Sequence, residues 1–536
     1  MNLLNKGLAS YLCLSILLFA SCKKMDFDKI AKGAWNPNLA VPLAYANFGV
    51  YDILAMKDSN DLVVIDQNTG ALALVYKGDV FSVDAESLVN IQDLTVSKSL
   101  NFSSLNAIPA AAFNGTVSSN NSETLNFNAG TAEIHEVKFK AGVLTMNVSS
   151  NLKHDVTCVI TFPNMKVNGT PVSTTVSLNY TGTVPTTGTT TVNLSDAVAD
   201  LTLGNTTFNK MNATLVTTIT GSGQPIVGTE NVTVGFGFSN MLFENAKGYF
   251  GQNNLGITGD TVLLKLFQNS TAGYFELVNP KIRFFADNSF GFPIRMNFSG
   301  LKTINISNGN QYPLVGYPTV FNIAAASAMG QSANSLFELN TSNTSNLSTV
   351  VSSTPKYFVF SANAQSNPAG NVPPLNFITD TSKLKIRTEV ELPLEGSAYG
   401  FELKDTVDFN FNEDVSQLET VMFRLNIDNG FPVELKSQII FLNDNYQPIF
   451  TIFNTPESVV TSALVNSAGR VNERSKKITD IHLTDAQILL LPSAKYLLIN
   501  AVSQTLNGPS GLVVKIYDDY TLNLKLGLQV KGKVQL

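Results

Sequence analysis

Apolar residues two apart, carried through most of the chain from Thr131 onward, leave few folds open. A helix with one covered face needs them three and four apart, and a half-buried strand needs them two apart. Val137 and Phe139 share one face, and past Ala141-Gly142 the parity switches to Leu144, Met146 and Val148. A slip of one residue beside a glycine calls for a β-bulge. Val156, Cys158, Ile160 and Phe162 alternate in the same way, as do Thr214–Thr220, Val232–Phe238 and Lys383–Val390. The chain closes on Thr521–Leu536, where Leu522, Leu524, Leu526, Leu528, Val530, Val534 and Leu536 mark one face of a long strand. A transmembrane barrel shows the same period but needs many strands of even length with aromatic girdles, and these are too irregular.

A repeat lies within the alternation. Lys281–Met296 reads KIRFFADNSFGFPIRM and Val421–Leu435 reads VMFRLNIDNGFPVEL. Each has an alternating strand, Asp-Asn, a glycine, Phe-Pro and a second alternating strand. Asp428-Asn429-Gly430 reads as a hairpin turn with positive φ, its exit stiffened by Pro432. Leu144–Phe162 is a third copy, with Asn151-Leu152-Lys153-His154 in the turn. Recurrence near residues 150, 290 and 430 predicts tandem β-sandwich modules, Ig-like in class, with few short helices. The boundaries expected are an N-terminal β region over 60–130 and sandwiches over 131–245, 246–339 and 340–536, the last holding the long C-terminal strand.

Other segments are less regular. Leu62–Ile65 and Ala71–Tyr76 flank Asp66-Gln67-Asn68-Thr69-Gly70, a hairpin signal without calcium-loop spacing. Pro37 and Pro42 favour extended chain after Trp35, which reads as a packing residue. The run 181–191 (TGTVPTTGTTT) reads as a loop, Asn340–Thr354 as a junction with a helical turn, and Thr484–Ala501 as a helix interrupted by Pro492.

The N-terminus predicts location. Lys6 precedes an apolar run from Leu8 to Ala20, long enough for a signal peptide and too short to span a bilayer. Ala20 and Ser21 are the small residues a lipoprotein signal peptidase needs before a cysteine, so residues 1–21 are expected to leave and Cys22 to carry lipid. Residues 22–59 then form a lipidated tether and an extended segment, with a membrane partner at the lipid.

Composition narrows the chemistry. Charged residues are 14% of the chain and the net charge is -6, which argues against nucleic acid as a partner. Once Cys13 is cleaved away and Cys22 acylated, Cys158 is the last of three cysteines, on an apolar strand face. His135, His154 and His482 are scattered, with Glu133-Ile134-His135-Glu136 the nearest approach to a metal cluster. Neither a GxSxG elbow nor a Gly-rich phosphate loop occurs. Glu389, Glu391, Asp405 and Asp408 are carboxylates of the kind a glycosidase pairs across a cleft, and exposed strand acids explain them more simply. No enzyme, cofactor or metal is expected.

The lipobox, the WNPNLAVPLA segment, the NGFPVEL motif and the IYDDYTLNLKLGLQV ending together resemble uncharacterised outer-membrane lipoproteins of Bacteroidota-type bacteria. LVNPKIRFFADNSFGFPI is similar to the LEA-14/WHy sandwich through Pro280 and Pro293. The first resemblance implies tandem sandwiches on the outer membrane with no assigned reaction, on its periplasmic or its outer face. It also implies O-glycosylation at Thr261 and Thr406, within Asp260-Thr261-Val262 and Asp405-Thr406-Val407. The function expected is a non-catalytic binding or structural module of the cell envelope, its partner an envelope protein or a glycan. Alternatives are a glycan-binding accessory lipoprotein of a polysaccharide-uptake system, with Tyr249, Phe250, Tyr274 and Tyr399 as stacking candidates, and a carrier of lipid or another hydrophobic ligand.

Overall fold

The computed structural model describes residues 37–53, 63–66, 69–88, 93–101, 112–264, 273–305, 308–409 and 415–532. The leader, Cys22, the tether and Trp35 lie outside these residues. Strand makes up 63% and helix 5%, so the protein is all-β with many antiparallel sheets and a few short helices.

The chain lays down its strands in a nested order. It begins with β1 (Asn38–Gly49) and β2 (Leu72–Asp84). A first complete set follows: β3 (Leu94–Asn101), β4 (Thr116–Asn126), β5 (Glu133–Ser150), β6 (Asp155–Val167), β7 (Thr170–Leu178), β8 (Thr186–Asn193), β9 (Lys210–Thr220) and β10 (Asn231–Tyr249). The next set is β11 (Asn254–Leu263), β12 (Lys281–Asn288), β13 (Ile294–Asn305), β14 (Gln311–Pro313), β15 (Val320–Ile323), β16 (Ala333–Leu339), β17 (Pro355–Ser366) and β18 (Lys383–Pro393). The last is β19 (Phe401–Asp408), β20 (Leu418–Asn429), β21 (Val433–Leu442), β22 (Pro448–Val460), β23 (Ser475–Leu483), β24 (Tyr496–Thr505) and β25 (Thr521–Gly532).

Pairing shows one topology used three times. The inner set orders β8-β5-β10-β3 and β4-β9-β6-β7. The middle set takes β2 as its first strand and orders β16-β12-β18-β2 and β11-β17-β13, with β14 and β15 both paired to β13. The outer set takes β1 as its first strand and orders β23-β20-β25-β1 and β19-β24-β21-β22. Counted along each set, with β14 and β15 sharing the fifth place of the middle one, one sheet always runs sixth-third-eighth-first and the other second-seventh-fourth-fifth. The inner set thus sits in sequence between the first and second strands of the middle set, which itself sits between those of the outer set. In the inner set the short strand Val198–Asp200 bridges β5 and β6, joining its two sheets.

Two compact units result. One is drawn from Met1–Ala55, Glu402–Gly508 and Asp519–Leu536 and holds the outer set; the other, Met56–Phe401 with Pro509–Asp518, holds the inner and middle sets. In each set, inward residues of the two sheets meet. Phe162 of β6 packs edge-on against Phe236 and Phe238 of β10 at 5.9 and 5.2 Å. Phe284 of β12 meets Phe298 and Phe360 of the opposite sheet at 4.7 and 5.6 Å. In the outer set Val421 and Leu483 of one sheet join Phe441 and Ile452 of the other.

The repeated segment is a corner and not a hairpin. β12 pairs with β16 and β18 while β13 pairs with β17, so DNSFGFP carries the chain from one sheet to the other. DNGFP does the same between β20 and β21. A buried asparagine holds each corner. Asn288 Nδ2 donates to the carbonyls of Phe292 and Ala324, and its Oδ1 accepts the Phe290 N–H. Asn429 Nδ2 donates to the carbonyls of Phe431, Val433 and Thr461, and its Oδ1 accepts the Phe431 N–H. In the third copy Ser150, also buried, takes the asparagine's place and its Oγ accepts the Leu152 N–H at 3.1 Å. Gly430 is not in the positive-φ region; it is glycine because a Cβ there would lie 2.9 Å from the Thr521 carbonyl and overlap the Arg474 guanidinium.

Other expectations resolve similarly. The bulge beside Ala141 is present, with register shifts where Ala141 and Phe139 face Leu242 and Phe243 of β10. Val63–Ile65 pairs with β2 around a turn closed by the Gly70 N–H to the Asp66 carbonyl. Of the run 181–191 read as loop, residues 186–191 belong to β8, whose polar threonines pair with β5. The expected helix over 484–501 stops at Leu490; Pro492 opens a single 3₁₀ turn and the apolar run from Tyr496 becomes β24.

Candidate functional site

The outer face of the sheet β23-β20-β25-β1 carries a surface groove. Leu524 and Leu528 of β25 point into the core, so Asn523, Lys525, Gly527 and Gln529 point outward. Through the register, Arg424 and Pro42 lie opposite Gly527, and Asn426 and Tyr45 lie opposite Lys525. The missing side chain at Gly527 leaves a depression flanked by these residues. The groove measures about 510 Å³ and is lined by Pro42, Ala44, Tyr45, Arg424, Asn426, Lys525, Leu526 and Gly527.

A bulge aims the aromatic residue. Leu39 and Val41 lie opposite Val530 and Leu528 and so face inward. Regular alternation would send Tyr45 inward as well. The register shift between Pro42 and Ala44 inserts one residue, which puts Ala44 opposite Leu526 and Tyr45 opposite the outward Lys525. Tyr45 is 65% exposed, and the Lys525 ammonium stands 5.8 Å from its ring centroid. Arg424 forks onto Asp480 through Nε at 2.7 Å and Nη2 at 2.6 Å. The Arg424 hydrogen bond holds the Asp480 carboxyl below its usual range. Gln529 Nε2 donates to Asn38 Oδ1 at 2.9 Å further along the face. The face thus offers an aromatic ring, amides, an ammonium and a guanidinium edge.

The four aromatic candidates separate. Tyr274 and Tyr399 are register partners on the short strands Tyr274–Leu277 and Glu395–Tyr399, and their rings stack at 4.9 Å. Burial, with Glu276 beside it, pushes the Tyr274 phenol up. Phe250 is buried against Phe292 at 5.9 Å and offers no ring to a ligand, and Tyr249 ends β10 half-buried.

The remaining candidates are dispersed over the fold. Glu133 accepts from Asn371 Nδ2 at 2.7 Å and Glu136 pairs with Lys247 at 2.6 Å. Among the described residues no three of His, Cys, Asp and Glu gather as a metal site. His154 is fully buried: its Nδ1 accepts the Ser222 N–H at 3.1 Å, Phe113 packs edge-on, and burial pushes its pKa down. His482 lies on β23, opposite Met422. Burial pushes the Cys158 thiol up, and Thr217 is its neighbour at 3.5 Å. Glu389 pairs with Lys77, and Glu391 with Lys281 and Arg283. Asp408 is exposed at the end of β19, and the Asp405 side chain lies outside the described residues.

Thr261 and Thr406 are exposed on β11 and β19, the edge strands of equivalent sheets. They occupy one position of the repeated fold. Three residues beyond each, the Leu264 N–H bonds the Lys356 carbonyl and the Phe409 N–H bonds the Lys495 carbonyl. The inner set has the same bond from Phe127 to Asn209, which places Glu123-Thr124-Leu125 in register with the two Asp-Thr-Val triads. Repetition of the fold thus places the two triads at equivalent positions.

No helix among the described residues is long and apolar enough to cross a membrane. No family model matches the chain, and no curated protein matches it. Among solved structures it is similar to a protein of Parabacteroides distasonis described as secreted, at 14% identity over 52% of this chain and 83% of that one, with a TM-score of 0.30. It is also similar to the N-terminal CBM22-1–CBM22-2 tandem of Paenibacillus barcinonensis Xyn10C, at 9% identity over 59% and 98%, with a TM-score of 0.14.

Proposed function

We propose that this protein is a non-catalytic saccharide-binding module of the cell envelope, held at the outer membrane by lipid on Cys22. The Tyr45 groove supports the reading. A bulge turns an aromatic ring out onto a polar sheet face beside Asn426, Lys525 and Arg424. A pyranose ring presents a C–H face to an aromatic ring and hydroxyls to amides, and Lys525 adds a preference for sugars bearing carboxylate or sulfate. Glu389 and Glu391 pair with Lys77, Lys281 and Arg283 across the sheet, which supports a non-catalytic reading.

Affinity electrophoresis of the purified chain in gels containing neutral or acidic polysaccharides tests the reading. Retardation by an acidic polysaccharide, lost in Tyr45→Ala with an unchanged far-ultraviolet spectrum, is the expected result. Equal mobility in every gel overturns it. Mass spectrometry of the N-terminal peptide tests the anchor, and a free Cys22 thiol or an uncleaved leader refutes it.

One observation favours a second reading, carriage of a hydrophobic ligand. Leu39, Val41 and Phe48 lie opposite the inward Val530, Leu528 and Leu522 of β25 yet are 57%, 49% and 37% exposed. Native mass spectrometry that finds no lipid on the purified chain excludes this reading.

A further inference from the structure

The turn joining β21 to β22 presents a tyrosine in a backbone seat where the two sister sandwiches use glycine. In the middle set the corresponding turn is closed by the Asn305 N–H to the Asn310 carbonyl, and Gly309 holds the left-handed position at φ 70°. In the inner set Gly169 holds it at φ 81°. In the outer set the Asn443 N–H bonds the Gln447 carbonyl, and the residue in that seat is Tyr446, at φ 59°. A side chain in this region costs backbone energy that glycine does not incur. The turn holds it there: Asn443 Oδ1 accepts the N–H of Asn445 and of Gln447, both at 2.9 Å, and the Asn443 carbonyl accepts the Tyr446 N–H.

The tyrosine so placed is not used for core packing. Its ring lies nearly parallel to Tyr496, at 4.3 Å and 13°, and the residue is 59% exposed, so one ring face is covered and the other is open. Tyr496 begins β24, the seventh strand. Its counterpart in the middle set is Tyr357, beside whose ring stands the Lys356 ammonium at 5.3 Å. A hydrogen bond with Tyr446, with Asp408 and Asp444 nearby, pushes the Tyr496 phenol up. Among the described residues, neither Asp408 nor Asp444 is in an ion pair. The end of this sandwich therefore combines an open aromatic face, fixed in orientation by a second ring, with two exposed carboxylates.

We propose that Tyr446 and Tyr496, with Asp444 and Asp408, form a stacking platform for a neutral pyranose unit. The C–H face of the sugar lies on the open face of Tyr446, and the carboxylates accept hydrogen bonds from its hydroxyls. This deepens the saccharide-binding reading by adding a second contact whose charge is opposite to that of the Tyr45 groove, so one unit would hold a polymer carrying both acidic and neutral sugars.

Saturation-transfer NMR on the full mature chain tests it, with neutral gluco-, manno-, xylo- and N-acetylglucosamine hexasaccharides, hexagalacturonate and oligolysine as probes. At least one neutral hexasaccharide is expected to receive saturation at its ring C–H protons. The signal should fall about tenfold in Tyr446→Ala, persist in Tyr446→Phe and be unaffected by Tyr45→Ala. Tyr446→Gly, which relieves the backbone, should lose binding while melting no lower than the wild type. Neutral binding that survives Tyr446→Ala overturns the platform, as does binding of oligolysine but no saccharide. If hexagalacturonate alone binds, in a Tyr45-dependent way, the platform fails and the saccharide-binding reading stands. If no saccharide binds, both fail.

Discussion

The asparagines at the sheet-to-sheet corners show how much one side chain can hold. Asn429 is buried, and its amide group satisfies three carbonyls and one N–H that have no water to turn to. Asn429→Ala should lower the stability of its sandwich by about 3 kcal/mol, because orphaned buried groups cost more than the lost bonds alone. Denaturant melts followed by tyrosine fluorescence measure this, and a loss below the error of the fit contradicts the corner's role. His154 makes a second prediction at this scale. Its Nδ1 accepts an N–H, so the proton of the neutral ring sits on Nε2, which is buried without a partner. Protonation would set an N–H against the Ser222 N–H, and burial holds the pKa below the ordinary histidine value. The neutral ring's contribution is therefore complete above pH 6.5 and is lost as the pH falls below it toward the lower folded value. Wild-type stability should drop between pH 7 and pH 5 by more than that of His154→Phe; parallel pH profiles would refute this.

Single residues also decide what whole strands present. Removing residue 43 straightens the register of β1, sends Tyr45 to the inner face with Val41, and should abolish saccharide retardation as fully as Tyr45→Ala does. A deletion variant that still binds would show that the bulge does not orient the site. The same strand explains why the groove was not legible in the sequence. NLAVPLAYANFG keeps large apolar residues two apart straight through from Leu39 to Tyr45, so nothing local marks where the parity flips; the flip is set by pairing with β25, nearly the whole chain away. The all-β class was legible because alternation is local, and the corners were located by their repeated DN…FP. Their geometry was misread because Asp-Asn-Gly signals a hairpin in isolation, whereas the partners of β20 and β21 lie far off in sequence. The start of the helix at Thr484 was legible for the same local reason, and the structure closes it with a capping box between the Thr484 hydroxyl and the Gln487 side chain. Tyr274 and Tyr399 were singled out as aromatic residues, but their stacking depends on a pairing across more than a hundred residues.

Nesting gives the three sandwiches unequal access to folding. Strands β3 to β10 are contiguous, so the inner sandwich closes with the shortest loops. The middle one must bring β2 to β18, and the outer one β1 to β25. Loop-closure entropy rises with these separations, and contacts close in sequence form sooner. The inner sandwich also has all eight strand positions in one stretch, with its sheets joined through Val198–Asp200. Residues 93–250 expressed alone should therefore fold, with a β-sheet spectrum and one cooperative transition of about 100 kcal/mol, the enthalpy expected for a domain of that length. Residues 252–400 should not, because they lack β2, the strand that covers one edge of β18. Calorimetry of the two fragments separates the cases. A cooperative melt from 252–400, or none from 93–250, would mean that the sandwiches do not fold as the strand sets their pairing defines.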